Sequence, residues 1–112
     1  MTEIEIKKNQ ENFPVQKVLK STIKRLESHN FRVRYKTLRN LASNYIKKEQ
    51  VRQIIFKVYD HKCYICGSNE NLQIDHIISV YAFATHKYPY LKLNAPDNLA
   101  LICSHCNASR PQ

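Results

Sequence analysis

The residues of this chain best suited to chemistry are its four cysteines, which form the C-x-x-C pairs Cys63/Cys66 and Cys103/Cys106. A tetrahedral Zn²⁺ takes four thiolates, and each C-x-x-C turn supplies two of them. The only glycine, Gly67, follows the first pair, where such a turn often needs a positive φ. Redox or disulfide pairs are the weaker alternative, because a thioredoxin-type motif stands in a βαβ unit and would not occur twice. The spacing therefore predicts a structural zinc site.

A second set of polar residues, Asp75, His76, Asn98 and Asn107, lies between and just after the cysteine pairs. Hydrolysis of a phosphodiester at neutral pH needs a base for water and a Lewis acid for the phosphate. The imidazole of His76, with an ordinary pKa of about 6.5, suits the base, and the Asp75 carboxylate suits Mg²⁺. Neighbouring strand residues point to opposite faces, so both can serve one site only if the strand ends or bulges there.

Each of these residues also has an ordinary structural interpretation. An Asp-His pair is commonly two surface polar residues, Asn98 is typical of a turn after Pro96-Asp97, and Asn107 is typical of a helix cap. The combination within the cysteine pairs is what indicates a site.

Hydrophobic spacing predicts the helices that precede the cysteines. Residues 1–12 are polar and lack a clear cap, so we expect them to fray. A helix is predicted over 14–29, a loop or extended segment over 31–35, a helix from Thr37 to Ile46, and a helix over 49–59.

The second half of the chain has the pattern of a hairpin. The β-branched and apolar run over 72–80 predicts one strand, and the run over 98–103 predicts its returning partner. Between them, residues 81–97 are predicted to be a long loop, whose aromatic part over 81–90 either stacks on bases or covers the hairpin. A short helix is expected from Asn107 onward.

Positive charge is concentrated before the cysteines. The net charge is +9, and residues 1–60 carry 14 of the 18 Lys/Arg and 6 of the 9 Asp/Glu. A phosphate backbone is the common partner of such a basic region, although a merely solvated surface is the alternative. The candidate nucleic-acid contacts are Lys17, Lys20, Lys24, Arg32, Arg34 and Arg52.

The motifs together resemble the HNH endonuclease family in its zinc-knuckle form, over about residues 50–110. The resemblance rests on Cys63-x-x-Cys66-Gly67, on Ile74-Asp75-His76-Ile77-Ile78, and on Asp97-Asn98-Leu99-x-Leu101-x-Cys103-x-x-Cys106-Asn107. It implies a β-hairpin and a helix around one catalytic divalent ion, Mg²⁺ or Mn²⁺ (the ββα-metal fold).

The resemblance also implies a role for each matching residue. His76 would be the general base, Asp75 and Asn107 the ligands of the catalytic ion, and Asn98 the residue that holds the His-bearing loop. The zinc would be structural. This chain has Ser79 where proline is common in the family, and Asn107 where many members have histidine.

The resulting expectation is an α+β protein. Residues 1–112 would form a single unit, with a basic helical part over 1–60 and, over 61–112, an HNH motif whose zinc is held by the four cysteines. The expected function is a metal-dependent endonuclease that nicks double-stranded DNA. A non-catalytic zinc-stabilised nucleic-acid-binding module is the alternative, and a zinc-held protein-interaction domain is a third.

The setting is predicted from composition. No apolar run approaches the ~18 residues of a membrane span, and thiols kept for a metal suit the cytoplasm, here of a bacterial or phage-infected cell. A homodimer, or a longer protein containing this chain, is left open.

Overall fold

A computed structural model describes residues 2–86 and 88–110, without the side chain of His86. The elements in chain order are α1 (Glu3–Asn9), α2 (Lys20–Leu26), α3 (Phe31–Ile46), α4 (Glu49–Val58), β1 (Leu72–His76), α5 (Val80–His86), two 3₁₀ helices (Tyr90–Lys92 and Pro96–Asn98), β2 (Leu99–Cys103) and α6 (Ser104–Ser109). The predicted α+β class is confirmed. None of the described helices is long and apolar enough to cross a membrane.

The two strands form an antiparallel hairpin, in a register that runs from Leu72 opposite Cys103 to His76 opposite Leu99. Every residue of β2 is buried, which explains its unbroken apolar sequence. The first strand ends at His76 and not at residue 80 as predicted. It ends there because the Asn98 carboxamide bonds the backbone of Ile78, accepting from its N–H at 2.7 Å and donating to its carbonyl at 3.3 Å.

The predicted loop over 81–97 begins with a helix instead. Ser79 caps α5, because its Oγ accepts a hydrogen bond from the N–H of Ala82 at 3.1 Å. Phe83 and Ala84 of this helix are buried against Leu38 and other residues of α3. The burial of this short apolar face stabilises a helix that the aromatic and proline-rich sequence around it did not indicate.

Residues Glu3–Asn9 form a helix, contrary to the expectation that 1–12 would fray; Met1 lies outside the described residues. Thr2 caps α1 by accepting a hydrogen bond from the N–H of Glu5 at 3.1 Å. Lys8 is only 6% exposed, and its Nζ donates to the carbonyl of Leu99 at 2.7 Å. Its ammonium also lies 5.0 Å from the ring centroid of Tyr59. Because burial disfavours the cation, the pKa of Lys8 is lowered, although Asp97 and Glu5 oppose the shift.

The helix predicted over 14–29 is wrong for its first part. Residues 12–19 are not helical, and only Lys20–Leu26 forms a helix. The Tyr45 hydroxyl donates to the carbonyl of Pro14 at 2.9 Å, and Gln50 donates to the carbonyl of Asn12 at 2.6 Å. Val15, one of the apolar residues whose spacing predicted this helix, is 81% exposed and does not pack in the core.

The next helix starts earlier than predicted. Asn30 caps α3 and does not end a helix before it, because its Oδ1 accepts from the N–H groups of Arg32 and Val33. The segment over 31–35 is therefore helical, and Thr37 is an interior residue whose hydroxyl donates to the carbonyl of Val33. The prediction of a helix over 49–59 is confirmed by α4.

The apolar side chains form two main clusters, and α3 contributes to both. The first joins α3 and α4 to the hairpin through Tyr45, Val51, Ile55, Ile74, Leu99 and Leu101. The second joins α3 to α5 through Leu38, Ala42, Phe83, Ala84 and Leu93. The basic helical part thus packs directly against the elements that carry the polar site residues.

Candidate active site and metal centre

The four cysteines converge at one end of the hairpin. Their sulfur atoms all lie within 4.8 Å of one another, and the Sγ atoms of Cys66 and Cys103 are 3.6 Å apart. Zinc–sulfur bonds of about 2.3 Å in a tetrahedron place ligand sulfurs about 3.8 Å apart. The sulfur positions therefore fit a tetrahedral metal ion such as zinc. No disulfide joins any of the four cysteines.

Local geometry prepares these sulfurs for a metal. Gly67 has a φ of +78°, and its N–H donates to the carbonyl of Cys63 at 3.0 Å, which closes the first turn. Backbone N–H groups point at sulfur in both pairs, from Ile65 to Cys63 Sγ and from Cys106 to Cys103 Sγ, each at 3.4 Å. Such donors stabilise thiolates.

The thiols cannot all ionise without a cation. Burial raises the pKa of Cys63, but backbone N–H donors outweigh it and lower that pKa to about 6. Burial and the neighbouring sulfurs raise the pKa of the Cys106 thiol to about 12. Four negative sulfurs at these distances would repel one another, and a bound divalent ion would offset that repulsion.

A cleft of about 390 Å³ lies beside the end of β1. Asp75 and His76 both line it. Adjacent residues within a strand point to opposite faces, but the strand ends at His76, so both side chains can reach the same cleft. Asn107 lines the cleft from α6. The structure thus brings together three of the four predicted polar site residues around one open space. Within it, the Asp75 carboxylate and the Asn107 amide are oxygen donors of the type that Mg²⁺ and Mn²⁺ accept.

Asn98, the fourth, does not line this cleft and is 5% exposed. Its side-chain nitrogen, Nδ2, also donates to the backbone carbonyl of Leu93 at 2.8 Å. The backbone carbonyl of Asn98 accepts a hydrogen bond from the N–H of Ile77 at 2.8 Å. Together with the bonds to Ile78, these contacts hold the chain immediately after His76. This geometry agrees with the expected supporting role.

His76 is 8% exposed, and its Nε2 lies 2.8 Å from Oδ1 of Asn94. The Asn94 amide nitrogen donates to the carbonyl of Leu41 at 3.2 Å and to Oε1 of Gln16 at 3.1 Å. A backbone carbonyl only accepts, so Oδ1 of Asn94 must be the atom that faces His76. His76 Nε2 therefore carries the hydrogen in the neutral ring, and Nδ1 carries the lone pair.

Burial also sets the charge of this imidazole. Desolvation lowers the pKa of His76, and the hydrogen bond to Asn94 opposes it without reversing it. The ring is therefore neutral, and able to accept a proton, at a pH where an exposed histidine would be partly charged. Asn94 was not predicted, because nothing in the sequence distinguishes it from an ordinary loop asparagine.

Arg110 is a second site residue that the sequence analysis did not single out. Its guanidinium forms an ion pair with Oδ2 of Asp75 and donates to the carbonyls of Ile77 at 2.7 Å and His76 at 3.3 Å. It lines the same cleft. Arg110 therefore places a positive charge beside the predicted metal-binding carboxylate. An arginine three residues after the last site residue was the only signal that could have suggested it.

The predicted nucleic-acid contacts are spread over several elements. Five of them are exposed: Lys17 before α2, Lys20 and Lys24 on α2, Arg32 on α3 and Arg52 on α4. Arg34 differs, because its guanidinium donates to the carbonyls of Ser28 and Ala84 at 2.8–3.3 Å. Its role in the structure is to tie the segment between α2 and α3, and also α5, to α3. The prediction that it contacts phosphate does not suit this position.

One comparison with known proteins gave a match. The family model for HNH endonuclease matches residues 63–110, a range that includes both C-x-x-C pairs, the hairpin and the cleft residues. The family suggested by the motifs is thus confirmed over this range. Neither curated proteins nor solved structures gave a significant match.

Proposed function

Residues 63–110 form a domain of the HNH endonuclease family, and from this premise we propose that the protein is a metal-dependent endonuclease acting on DNA. The observation that carries the proposal is the cleft in which Asp75 and His76 meet Asn107, the residue that directly follows Cys106 of the cysteine cluster. Each such site hydrolyses one phosphodiester bond, so a monomer nicks one strand.

We assign Zn²⁺ to the cysteine cluster as a structural ion. Leu72 pairs with Cys103, and α6 follows Cys103 directly, so the cluster lies where the hairpin meets the last helix. Holding these elements together positions Asn107 relative to Asp75. An ion in this place supports the reacting groups without contacting the substrate.

We assign the catalytic Mg²⁺ or Mn²⁺ to Asp75 and Asn107. Such an ion neutralises charge on the scissile phosphate and the leaving oxygen when it is bound. Arg110 engages Oδ2 of Asp75, and the carboxylate has a second oxygen, Oδ1, to offer the ion. The guanidinium is also a donor suited to a phosphate oxygen of the substrate.

His76 is the proposed general base. Its Nδ1 takes the proton from the attacking water, and its Nε2–H stays bonded to Asn94. Asn94 is a positioning residue, because it fixes the tautomer and ring orientation without contacting the reacting atoms. Asn98 positions the loop after His76 in the same sense.

The rival function is a non-catalytic zinc-stabilised module that binds nucleic acid. It shares the cysteine cluster and the basic charge. It gives no reason for a buried imidazole of defined tautomer to stand beside a carboxylate in an open cleft. Those two features favour hydrolysis.

Nicking of supercoiled plasmid by the zinc-loaded protein tests the proposal. We expect relaxed plasmid with added Mg²⁺ or Mn²⁺, none without a divalent ion, and none with His76→Ala. His105→Ala is the matched control, since His105 is an exposed histidine on α6, and it should leave nicking unchanged. Absence of nicking with every metal, by a folded protein that still retains DNA in a gel, would favour the binding module.

A further inference from the structure

One side of α3 carries three exposed cations and no acidic residue. Arg32, Lys36 and Arg39 are exposed and follow one another at helical spacing, so they form a stripe along that side. The helix contains no Asp or Glu. Among the described residues, no acidic side chain forms an ion pair with any of the three. Leu38 and Ala42, on another side of the helix, are buried and hold α3 in place.

Two aromatic rings, half-buried at Tyr35 and exposed at Tyr81, extend from this stripe to α5. The guanidinium of Arg39 lies 5.6 Å from the ring centroid of Tyr35. Tyr35 meets Tyr81 of α5 edge to face, with centroids 6.2 Å apart, and Tyr81 is 60% exposed. Val80 and Ala82, on either side of Tyr81, line the cleft that holds His76. Tyr81 therefore connects the basic stripe to α5, the helix whose residues Val80 and Ala82 line the cleft.

We propose that Arg32, Lys36 and Arg39, with Tyr35 and Tyr81, form the docking surface for the backbone of double-stranded DNA. We call it the α3 surface. The inference rests on the proposed function, since it supplies the substrate-binding half of that same site. Its basic stripe lies outside residues 63–110 and so does not come from the matched family domain.

Charge complementarity identifies the occupant. Duplex DNA carries about one negative charge per 1.7 Å of its axis. The stripe extends over about 10 Å of helix at 1.5 Å per residue, so several phosphates fall within reach of its three cations. Phosphate contacts of this kind position the duplex without reading its sequence. The flanking tyrosines offer hydroxyl groups as further donors to the backbone.

Arg34 supports this surface from inside. It bonds the carbonyls of Ser28 before α3 and of Ala84 in α5, so it fixes the angle at which α5 presents Tyr81. The cations predicted on and before α2, Lys17, Lys20 and Lys24, are exposed but belong to a different element. They supply a control with the same number of charges.

The test compares two triple variants in duplex binding, measured by fluorescence anisotropy without divalent ions. Arg32→Ala/Lys36→Ala/Arg39→Ala should weaken binding at least about tenfold. The slope of log affinity against log salt concentration should also become shallower by about 2 to 3, because each lost phosphate contact changes it by about 0.9. Lys17→Ala/Lys20→Ala/Lys24→Ala should change the slope by less than about 1. Zinc content and circular dichroism establish that both variants fold.

Equal losses in the two variants would overturn the inference, because overall charge and not the α3 surface would then attract DNA. Tighter binding to an RNA duplex of the same sequence would overturn the assignment to DNA. The two proposals fail separately. Salt-sensitive binding through the α3 surface without any nicking refutes only the nuclease function, and nicking with unchanged binding in the α3 variant refutes only the docking surface.

Discussion

Nε2 of His76 lies 2.8 Å from Oδ1 of Asn94, and this contact joins the candidate base to the N-terminal helices. Asn94 is 2% exposed, and its amide nitrogen donates to the carbonyl of Leu41 in α3 and to Gln16. The orientation of the imidazole thus depends on residues outside the matched family domain. This dependence gives a direct way to test the role of His76.

Asn94→Ala should lower kcat by about tenfold to a hundredfold, a part of the 10²–10⁴ that a general base contributes. We expect KM to change little, because Asn94 does not line the cleft. Asn94→Asp, which keeps an acceptor for Nε2–H, should retain more activity than Asn94→Ala. Steady-state nicking kinetics measure both, with Asn69→Ala in an exposed loop as the control.

The ¹⁵N shifts of the His76 ring distinguish positioning from general stability. In the zinc-loaded wild type at mildly alkaline pH, they should report hydrogen on Nε2. In Asn94→Ala they should report a mixture of the two tautomers, because the partner of Nε2–H is lost. An Nδ1–H ring in the wild type would contradict the proposed role of Asn94.

The pH dependence of kcat/KM should reflect the lowered pKa of His76. The neutral ring is the active form, and burial disfavours the charged form. Activity should therefore persist as pH falls to about 6.5 and be lost only below it. In Asn94→Ala the acidic limb should move to still lower pH, because the hydrogen bond that raises this pKa is absent. A wild-type midpoint above 6.5 would mean that burial does not govern this group.

The cysteine cluster should bind one Zn²⁺ per chain, which atomic spectroscopy measures. Structural zinc contributes about 10–16 kcal/mol at neutral pH, comparable with the whole stability of a small protein. Cys63→Ser should therefore lose zinc and unfold at ordinary temperature, as followed by circular dichroism. The control is Ser109→Ala on α6, the helix that carries the cluster residue Cys106. This variant should keep both its zinc and its fold. A zinc-free wild type that melts unchanged would contradict the structural assignment.

The positive charge of Arg110 should weaken the binding of the catalytic ion to Asp75. Removing the guanidinium in Arg110→Ala leaves the carboxylate without its neutralising partner, which favours a cation in its place. We expect Mn²⁺ to bind this variant, DNA-free and zinc-loaded, several-fold more tightly than it binds the wild type. Calorimetry measures both dissociation constants, and a tenfold difference corresponds to about 1.4 kcal/mol.

Two further variants bracket this result. Arg110→Lys, which keeps the positive charge, should bind Mn²⁺ nearly as weakly as the wild type. Asp75→Asn should lose the site. If Arg110→Ala bound Mn²⁺ no better than the wild type, Asp75 would not be the ligand that Arg110 neutralises.

Short-range patterns in the sequence predicted the metal cluster, the hairpin and α4. The C-x-x-C spacing identifies a pair of thiolates whatever surrounds it, and the apolar run of β2 needs only a buried position. Asp75 and His76 were identified because a recognisable motif joins them to the second cysteine pair. Each C-x-x-C turn, β2 and α4 depend on neighbours within one segment, and the motif fixes the order of the segments, so the sequence by itself determined these features.

Tertiary contacts decided the rest. Residues 12–19 have the apolar spacing of a helix, but hydrogen bonds from Tyr45 and Gln50 hold them in a non-helical path. The pairs His76–Asn94 and Asp75–Arg110 join side chains separated by 18 and 35 positions, and no spacing rule predicts them. Local periodicity reports what a segment can form alone, whereas these contacts exist only after the helices have packed against the hairpin.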